Sequence, residues 1–192
     1  GCSATINVPV GVTMDLSKTT KQYAFDVKGY LEVDSEGEMV ASTGTGNGSR
    51  VFSVNNGGEL KIDSGKFTGN YCVNANGGST EINGGEFSSV EPTLAFFNSN
   101  TEVPTEVVIN GGEFTASDNG VIMGNGSTVS GEPCKLKITG GVYNCNIKSD
   151  GYIACSIYCP NYDEIEIDGA TFNVTDGCCI CSRAGKVTIK NS

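Results

Sequence analysis

The sequence has no histidine and no tryptophan, and its arginines are Arg50 and Arg183. Without histidine the chain lacks the commonest general base of enzymes. Without tryptophan it lacks the largest aromatic platform that could stack on a sugar. No apolar run approaches the roughly 20 residues that a membrane-spanning helix needs, so we expect no membrane partner. Proline is also scarce, at 5 residues, whereas glycine supplies 27, which indicates many turns but no proline-rich linker.

Positive charge is also scarce, because 22 acidic residues stand against 12 basic ones and give a net charge of -10. Phosphate backbones and anionic membranes attract proteins through positive fields. Nucleic acid is therefore not an expected partner. Hydrophobic residues make up 38% of the chain, too many for a disordered protein, so the sequence predicts a folded domain with its own core.

The nine cysteines follow no regular spacing, and an odd number cannot all be paired within one chain. The favoured interpretation is that most are reduced thiols filling the core, which fits assembly in a reducing compartment. Two alternatives stay open: zinc ligation by Cys155 and Cys159 with Cys178, Cys179 and Cys181, and a disulfide between Cys155 and Cys181, which we place in one register.

A hexapeptide that starts with Ile, continues through small residues and ends on an aromatic recurs every 20 to 29 residues. Such variable spacing excludes tight helical repeats but fits coils of short strands joined by loops of different lengths. Alternating apolar residues precede each Ile and mark a strand. The predicted core ladders are Ile62, Ile82, Ile109, Ile138, Ile167 and the truncated Ile189, with Phe67, Phe87, Phe114, Tyr143 and Phe172.

This pattern predicts an all-β fold, a single-stranded right-handed parallel β-helix of about seven to eight coils. The competing all-β interpretation, an antiparallel sandwich, does not explain the hexapeptide. Residues 1–50 are expected to form irregular N-terminal coils or a cap and to be a docking region. Residues 51–192 are expected to form regular coils of the same continuous domain. The last repeat stops partway, so we expect further chain or a partner to cover that end.

The run from Val8 to Leu16, the run from Phe52 to Leu60 and the hexapeptides together resemble pectin-lyase-like β-helix proteins. The resemblance covers nearly the whole chain and is typical of surface proteins and phage structural proteins of bacteria. It implies a trimer, as in fibres of this type. Catalytic members cleave acidic polysaccharides with clustered carboxylates and Lys, Arg or His, an arrangement that this sequence does not offer. The same coils serve lyases, adhesins and viral fibres, so the resemblance specifies architecture better than activity.

Candidate site residues fall into two groups. Glu86 and Glu113 occupy the same place in successive coils, so stacking would bring them close enough to hold Ca²⁺; the alternative is an exposed ladder near Lys66. Tyr152, Tyr158 and Tyr162 flank the longest insertions and are candidates for binding a glycan. The alternative is that these tyrosines are half-buried boundary residues. No cofactor is expected.

The leading functional hypothesis is a non-enzymatic structural protein of a phage virion: a head fibre, a capsid decoration or a tail appendage, with binding to the host surface as an additional role. Its expected partners are further copies of the chain, a larger assembly such as a capsid, and a cell-surface glycan. Its expected place is the virion, assembled in the host cytoplasm. The alternative is a bacterial surface adhesin or glycan-binding module, at the cell surface or secreted. A polysaccharide lyase or hydrolase ranks third.

Overall fold

The computed structural model describes residues 2–99, 103–127, 133–146, 154–161 and 163–192. Within these ranges every regular element is a β-strand, and every strand pairing is parallel. The parallel pairing rules out the antiparallel sandwich. None of the described residues forms a helix long and apolar enough to cross a membrane.

The strands stack in three columns. The first column contains β3 (Tyr23–Val27), the first half of β6 (Arg50–Ile62), the first half of β8 (Tyr71–Ile82), β10 (Leu94–Asn98), β13 (Ile122–Ser127), β16 (Cys155–Cys159) and β19 (Cys178–Ser182). The second contains β1 (Ser3–Ile6), β4 (Tyr30–Val33), the second halves of β6 and β8, β11 (Thr105–Ile109), β14 (Lys135–Ile138), β17 (Glu164–Asp168) and β20 (Lys186–Lys190). The third contains β2 (Thr13–Asp15), β5 (Glu38–Val40), β7 (Lys66–Gly69), β9 (Glu86–Ser89), β12 (Glu113–Ala116), β15 (Val142–Cys145) and β18 (Thr171–Val174).

The chain visits the columns in a fixed order, so the described strands make eight successive coils, from β1–β2 to β19–β20. This is the arrangement of a β-solenoid with parallel sheets. The N-terminal strands belong to the same stack, because β3 and β4 both pair directly with β6. The less regular sequence before residue 50 therefore still forms coils in register with the later ones.

The hexapeptide forms the turn between the second and third columns. Its Ile is the last or next-to-last residue of a second-column strand. The Ile residues of all six copies lie in one register: Ile62, Ile82, Ile109, Ile138, Ile167 and Ile189. The corner that follows needs a glycine: Gly112 has φ +107, and a Cβ there would lie 3.1 Å from the carbonyl oxygen of Gly85 one coil below. The predicted Ile column is therefore confirmed. Its last member, Ile189, differs in being 54% exposed, because it lies on the outermost described coil.

The aromatic at the end of each hexapeptide points inward and stacks on the next. Ring centroids lie 4.9 Å apart for Phe67 and Phe87, 4.7 Å for Phe87 and Phe114, 5.1 Å for Phe114 and Tyr143, and 5.3 Å for Tyr143 and Phe172. The Tyr143 hydroxyl donates a hydrogen bond to the carbonyl of Gly140 at 3.1 Å, which satisfies its buried polar atom. The predicted aromatic ladder is confirmed, and it forms one wall of the core.

Two buried threonines of the second column differ in how their hydroxyls are satisfied. Thr80 stands in the core row between Leu60 and Val107, and its Oγ1 has no hydrogen-bond partner among the described residues. Thr105 accepts a hydrogen bond from the Gly77 amide and donates one to the Phe97 carbonyl, both at 2.7 Å.

We expect Thr80→Val to raise the free energy of unfolding by about 1 kcal/mol, because it removes an unsatisfied hydroxyl without changing shape. Thr105→Val should lower that free energy by about 2 kcal/mol, because two backbone groups lose their partner. Urea denaturation of both variants measures the difference. Stabilisation by both substitutions, or by neither, would contradict this account.

Candidate functional site

The outer face of the third column, here called the third-column face, carries a polar groove. This shallow groove of about 220 Å³ runs across the stacked strands. Its first row is Lys66, Glu86 and Glu113, and its second row is Thr68, Ser88, Thr115 and Asn144, each in register with its neighbours. The alternation of strand side chains puts these residues outside and the aromatic ladder inside. The face therefore offers carboxylates, hydroxyls and amides at the spacing of stacked strands.

Glu86 and Glu113 are direct register partners, as the sequence predicted. Each carboxylate is held by a different neighbour: Lys66 Nζ donates to Glu86 Oε2 at 2.9 Å, and Asn144 Nδ2 donates to Glu113 Oε1 at 2.8 Å. Lys66 lies one coil before Glu86, whereas Asn144 lies one coil after Glu113. These two contacts draw the carboxylates in opposite directions along the stack.

The described residues contain no group of three or more Cys, Asp or Glu side chains arranged to hold a metal ion. Ca²⁺ usually takes six to eight oxygen ligands, and two carboxylates with separate partners supply few of them. Ca²⁺ binding at Glu86 and Glu113 stays a prediction. The exposed ladder with Lys66, named as the alternative, is the arrangement that the contacts form.

A second polar row, here called the corner ladder, follows the Ile column. Asn83 Nδ2 donates to Asp63 Oδ1 at 2.7 Å, Asn110 Nδ2 donates to Asn83 Oδ1 at 2.8 Å, and Thr139 Oγ1 donates to Asn110 Oδ1 at 2.8 Å. Asp168, in the same sequence position, accepts a hydrogen bond from Asn191 Nδ2 at 2.8 Å. Such a row binds successive corners to one another and uses up the polar groups that a ligand would need.

Asp63 anchors the corner ladder at its charged end. Lys61 Nζ donates to Asp63 Oδ2 at 2.7 Å and to Glu32 Oε1 at 2.9 Å. The hydrogen bond from Lys61, and then the one from Asn83, lower the pKa of Asp63 below its ordinary value of 3.8. The same two carboxylates raise the pKa of Lys61. A lowered carboxyl pKa stabilises the fold above pH 3.8, and this contribution is lost as the pH falls through the folded-state pKa.

We therefore expect Asp63→Asn to lower stability at pH 7 and to have progressively less effect as the pH falls below 3.8. Urea midpoints of the wild type and the variant at about pH 7, 5 and 3 measure this. Asp118→Asn, at an exposed carboxylate, is the matched control and should change the midpoint little at any pH. A gap between wild type and Asp63→Asn that stayed constant with pH would argue against the ion pair as its cause.

Of the tyrosines proposed for glycan binding, Tyr158 is the one within the described residues. Tyr152 and Tyr162 lie outside the described residues. Tyr158 is in β16, is 9% exposed, and accepts a hydrogen bond from Arg183 Nη1 at 3.3 Å. The ring of Tyr158 therefore presents little open face to a sugar, and the glycan prediction for these residues stays untested.

Sequence reasoning missed a contact between Arg50 and Tyr71. The Arg50 Cζ lies 5.0 Å from the centroid of the Tyr71 ring, a cation–π geometry. The two residues are register partners in β6 and β8. Burial, and then the charge of Glu91, raise the pKa of Tyr71. The isolated position of Arg50 in the sequence gave no sign of this pairing, whereas aligning the two strands would have found it.

The cysteines divide between the core and the surface. Five of them are buried: Cys72, Cys134, Cys145, Cys155 and Cys159. The expectation that most fill the core is thus confirmed. The predicted register of Cys155 with Cys181 is wrong, because Cys155 pairs with Cys178 and Cys181 lies beside Tyr158. The hexapeptides lie outside β16 and β19, so they do not specify the register of these two strands. The described residues contain no zinc-binding group in this cluster.

We expect alkylation of the folded protein to distinguish these thiols. Burial raises the pKa of Cys72 and of Cys159 to about 12, so their thiolate fraction at about pH 8 is on the order of 10³ lower than that of an ordinary cysteine. Iodoacetamide should modify the exposed Cys2 and Cys179 first. Peptide mass spectrometry should find Cys72 and Cys159 modified after denaturation. Rapid native modification of Cys72 would contradict the buried position.

The described surface thus holds ladders of polar side chains that bind one another from coil to coil. They form a regular outer surface rather than a single enclosed catalytic pocket. Carboxylates on the third-column face are exposed and could contact a partner, since the side chain of Glu86 is 60% exposed. In comparisons with protein families, curated proteins and solved structures, no family profile, curated protein or solved structure matched this chain.

Proposed function

We propose that this chain is a non-enzymatic structural protein and that it serves as a rigid component of a bacteriophage virion, such as a head fibre, a capsid decoration or a tail appendage. The observation that carries the proposal is the unbroken aromatic ladder from Phe67 to Phe172. Rings in contact through five successive coils make a stiff core, because interiors packed in this way do not deform continuously. A stiff, elongated element suits a fibre or a decoration.

We also propose that the coils wind in the right-handed sense. Parallel strands joined by a crossover are right-handed in about 98% of known cases, because the strand twist favours that hand. The parallel pairing of β6 with β8, and of β11 with β14, requires such crossovers. The pectin-lyase-like resemblance of the hexapeptides supports the same hand.

The chemistry of the side chains also supports a structural function. Glu86 and Glu113 are each occupied by a hydrogen-bond donor, and the corner ladder is closed by its own amides. Cys72, a fully buried thiol, has a pKa raised to about 12, which makes it a poor nucleophile at neutral pH. The polar groups of these ladders are used to hold coils together.

The experiment is fractionation of an infected or induced culture that expresses this chain. Particles are banded on a density gradient, and each fraction is analysed by mass spectrometry. We expect the chain to co-band with the major capsid protein at a constant ratio. Recovery with the cell envelope would favour the adhesin instead, and recovery in the soluble fraction alone would overturn both proposals.

A second candidate, glycan binding, is favoured by the third-column face. Its rows of exposed carboxylates, hydroxyls and amides repeat at the strand spacing of about 4.8 Å, and polar side chains of these kinds hydrogen-bond to sugar hydroxyls. A glycan array probed with the wild type and with Glu86→Gln/Glu113→Gln tests it. Loss of a wild-type signal in the double variant supports the site, and the absence of any wild-type signal contradicts it.

A further inference from the structure

The outer face of β11, β14, β17 and β20, the last four strands of the second column and here called the second-column face, has an ordered arrangement of charge. Four stacked strands, β11, β14, β17 and β20, contribute two outward rows. One row is Glu106, Lys135, Glu164 and Lys186, and the other is Val108, Lys137, Glu166 and Thr188. A shallow groove of about 310 Å³ runs between them. The charged members are well exposed, with Glu106 at 54% and Lys135 at 50%.

The order of charges along each row is antisymmetric about one point, midway between β14 and β17. From β11 to β20 the first row is acidic, basic, acidic, basic. Read in the opposite direction, from β20 to β11, it has the opposite sign at every step. The second row reads neutral, basic, acidic, neutral, and it changes sign in the same way about the same point. The six charges of these two rows sum to zero although the whole chain carries -10.

Such a face is complementary to itself in one orientation. If a second copy is placed opposite by a twofold axis parallel to the strands, each row faces itself with the stack reversed. Lys135 then faces Glu164 of the other copy, Lys137 faces Glu166, and Glu106 faces Lys186. If the axis instead runs along the stack, the two rows face each other at the same height. Lys135 would then face Lys137, and Glu164 would face Glu166, which is repulsive.

Intrachain ion pairs leave part of this charge available. Lys135 bonds Glu106 at 3.1 Å, and Lys190 bonds Glu166 at 3.0 Å. Among the described residues, Lys137, Glu164 and Lys186 have no ion-pair partner of their own. The first two of these lie next to the centre of the antisymmetric pattern, where a second copy would approach most closely.

We propose that the second-column face is a homodimer interface, with two copies packed face to face and their stacks antiparallel. The area is small: four coils at about 4.8 Å by strands of about 17 Å, which is below the size of a standard stable interface. The dimer is therefore weak and depends on salt, since screening shortens the range of charge interactions from about 10 Å at 0.1 M to about 3 Å at 1 M.

The test uses charge reversal in the two central positions. Lys135→Glu and Glu164→Lys each place like charges opposite one another in a homodimer, so each should be monomeric by sedimentation velocity at concentrations where the wild type dimerises. An equimolar mixture of the two variants should dimerise again, because the carboxylate introduced in one variant then faces the ammonium group introduced in the other. The wild-type dissociation constant should rise about tenfold or more between about 50 mM and 500 mM salt.

The matched controls are Lys66→Glu and Glu86→Lys, which make the same chemical changes on the third-column face. They should dimerise as the wild type does, and circular dichroism should show all four variants folded. A monomeric wild type at low salt, a mixture that fails to restore the dimer, or a trimer unaffected by the central substitutions would each overturn the proposal. Light scattering against the 19.9 kDa of one chain separates the dimer from the trimer.

Discussion

Phe114→Ala is expected to lower the free energy of unfolding by about 3–5 kcal/mol, the range for deleting a fully buried aromatic side chain. Phe114 is 0% exposed and lies between two rings, with interplanar angles of 4° to Phe87 and 5° to Tyr143. The substitution leaves a cavity in the middle of the ladder and removes two stacking contacts, each contributing about 0.5–1.5 kcal/mol beyond area burial. Chemical denaturation followed by circular dichroism measures the loss.

Phe172→Ala is the matched control for this prediction. Phe172 stacks on one described ring, Tyr143, with an interplanar angle of 29°, and it is only partly buried. Its loss should therefore be about half that of Phe114 or less. Equal losses at the two positions would mean that neither the fuller burial of Phe114 nor its second stacking contact adds to stability.

Gly78→Ala is expected to lower the free energy of unfolding by about 3 kcal/mol or more. Gly78 lies where β8 passes from the first to the second column, with φ +137, a conformation that side-chain-bearing residues rarely adopt. A Cβ at this position would lie 2.3 Å from the carbonyl oxygen of Gly58, its register partner in β6. Since both atoms belong to paired backbones, neither can move without breaking the parallel ladder.

Gly46→Ala separates the cost of the backbone conformation from the cost of steric contact with the neighbouring coil. Gly46 also has a positive φ, +107, but a Cβ there would meet nothing within 4 Å. Its cost should be about 1–2 kcal/mol, from the backbone conformation alone. The difference between the two variants in thermal and urea unfolding measures the close approach of the coils. If Gly46→Ala proved as damaging as Gly78→Ala, steric contact between coils would not be the cause.

The hexapeptide made the second and third columns predictable. It places an Ile before the corner, small residues at the corner and an aromatic after it, so a recurrence in sequence becomes a recurrence in space. Ile62 and Ile82 are 20 residues apart and Ile109 and Ile138 are 29 apart, yet each pair is in register. The period of two within each strand then fixed which side chains face the core.

The first column was less predictable, because no recurring motif marks its register. The sequence aligned Cys155 with Cys181, whereas β16 and β19 pair Cys155 with Cys178. The contact of Tyr158 with Arg183 from the next coil could not be predicted either, since it depends on the same register. Alternation alone leaves a shift of a few residues undetermined when the preceding loops differ in length.

The surface features needed the register before they could be recognised. Alternation along the strands predicts that Lys137, Glu166 and Thr188 face outward; Lys137 and Glu166 are exposed, and Thr188 is half-buried. Their order as an antisymmetric charge pattern emerges once each strand is aligned with its neighbours. The contact between Arg50 and Tyr71 emerges in the same way. Local sequence specifies which residues lie outside, and stacking specifies which outside residues meet.

The alignment of Ile residues separated by unequal lengths of chain has a consequence for how this protein can vary. Residues added between strands need not shift the strands themselves, and each coil pairs only with the coils before and after it. Duplication or deletion of an entire coil would therefore lengthen or shorten the rod in steps of about 4.8 Å while preserving its cross-section. The length of such a molecule can therefore change by whole coils without any change in the residues that form its core.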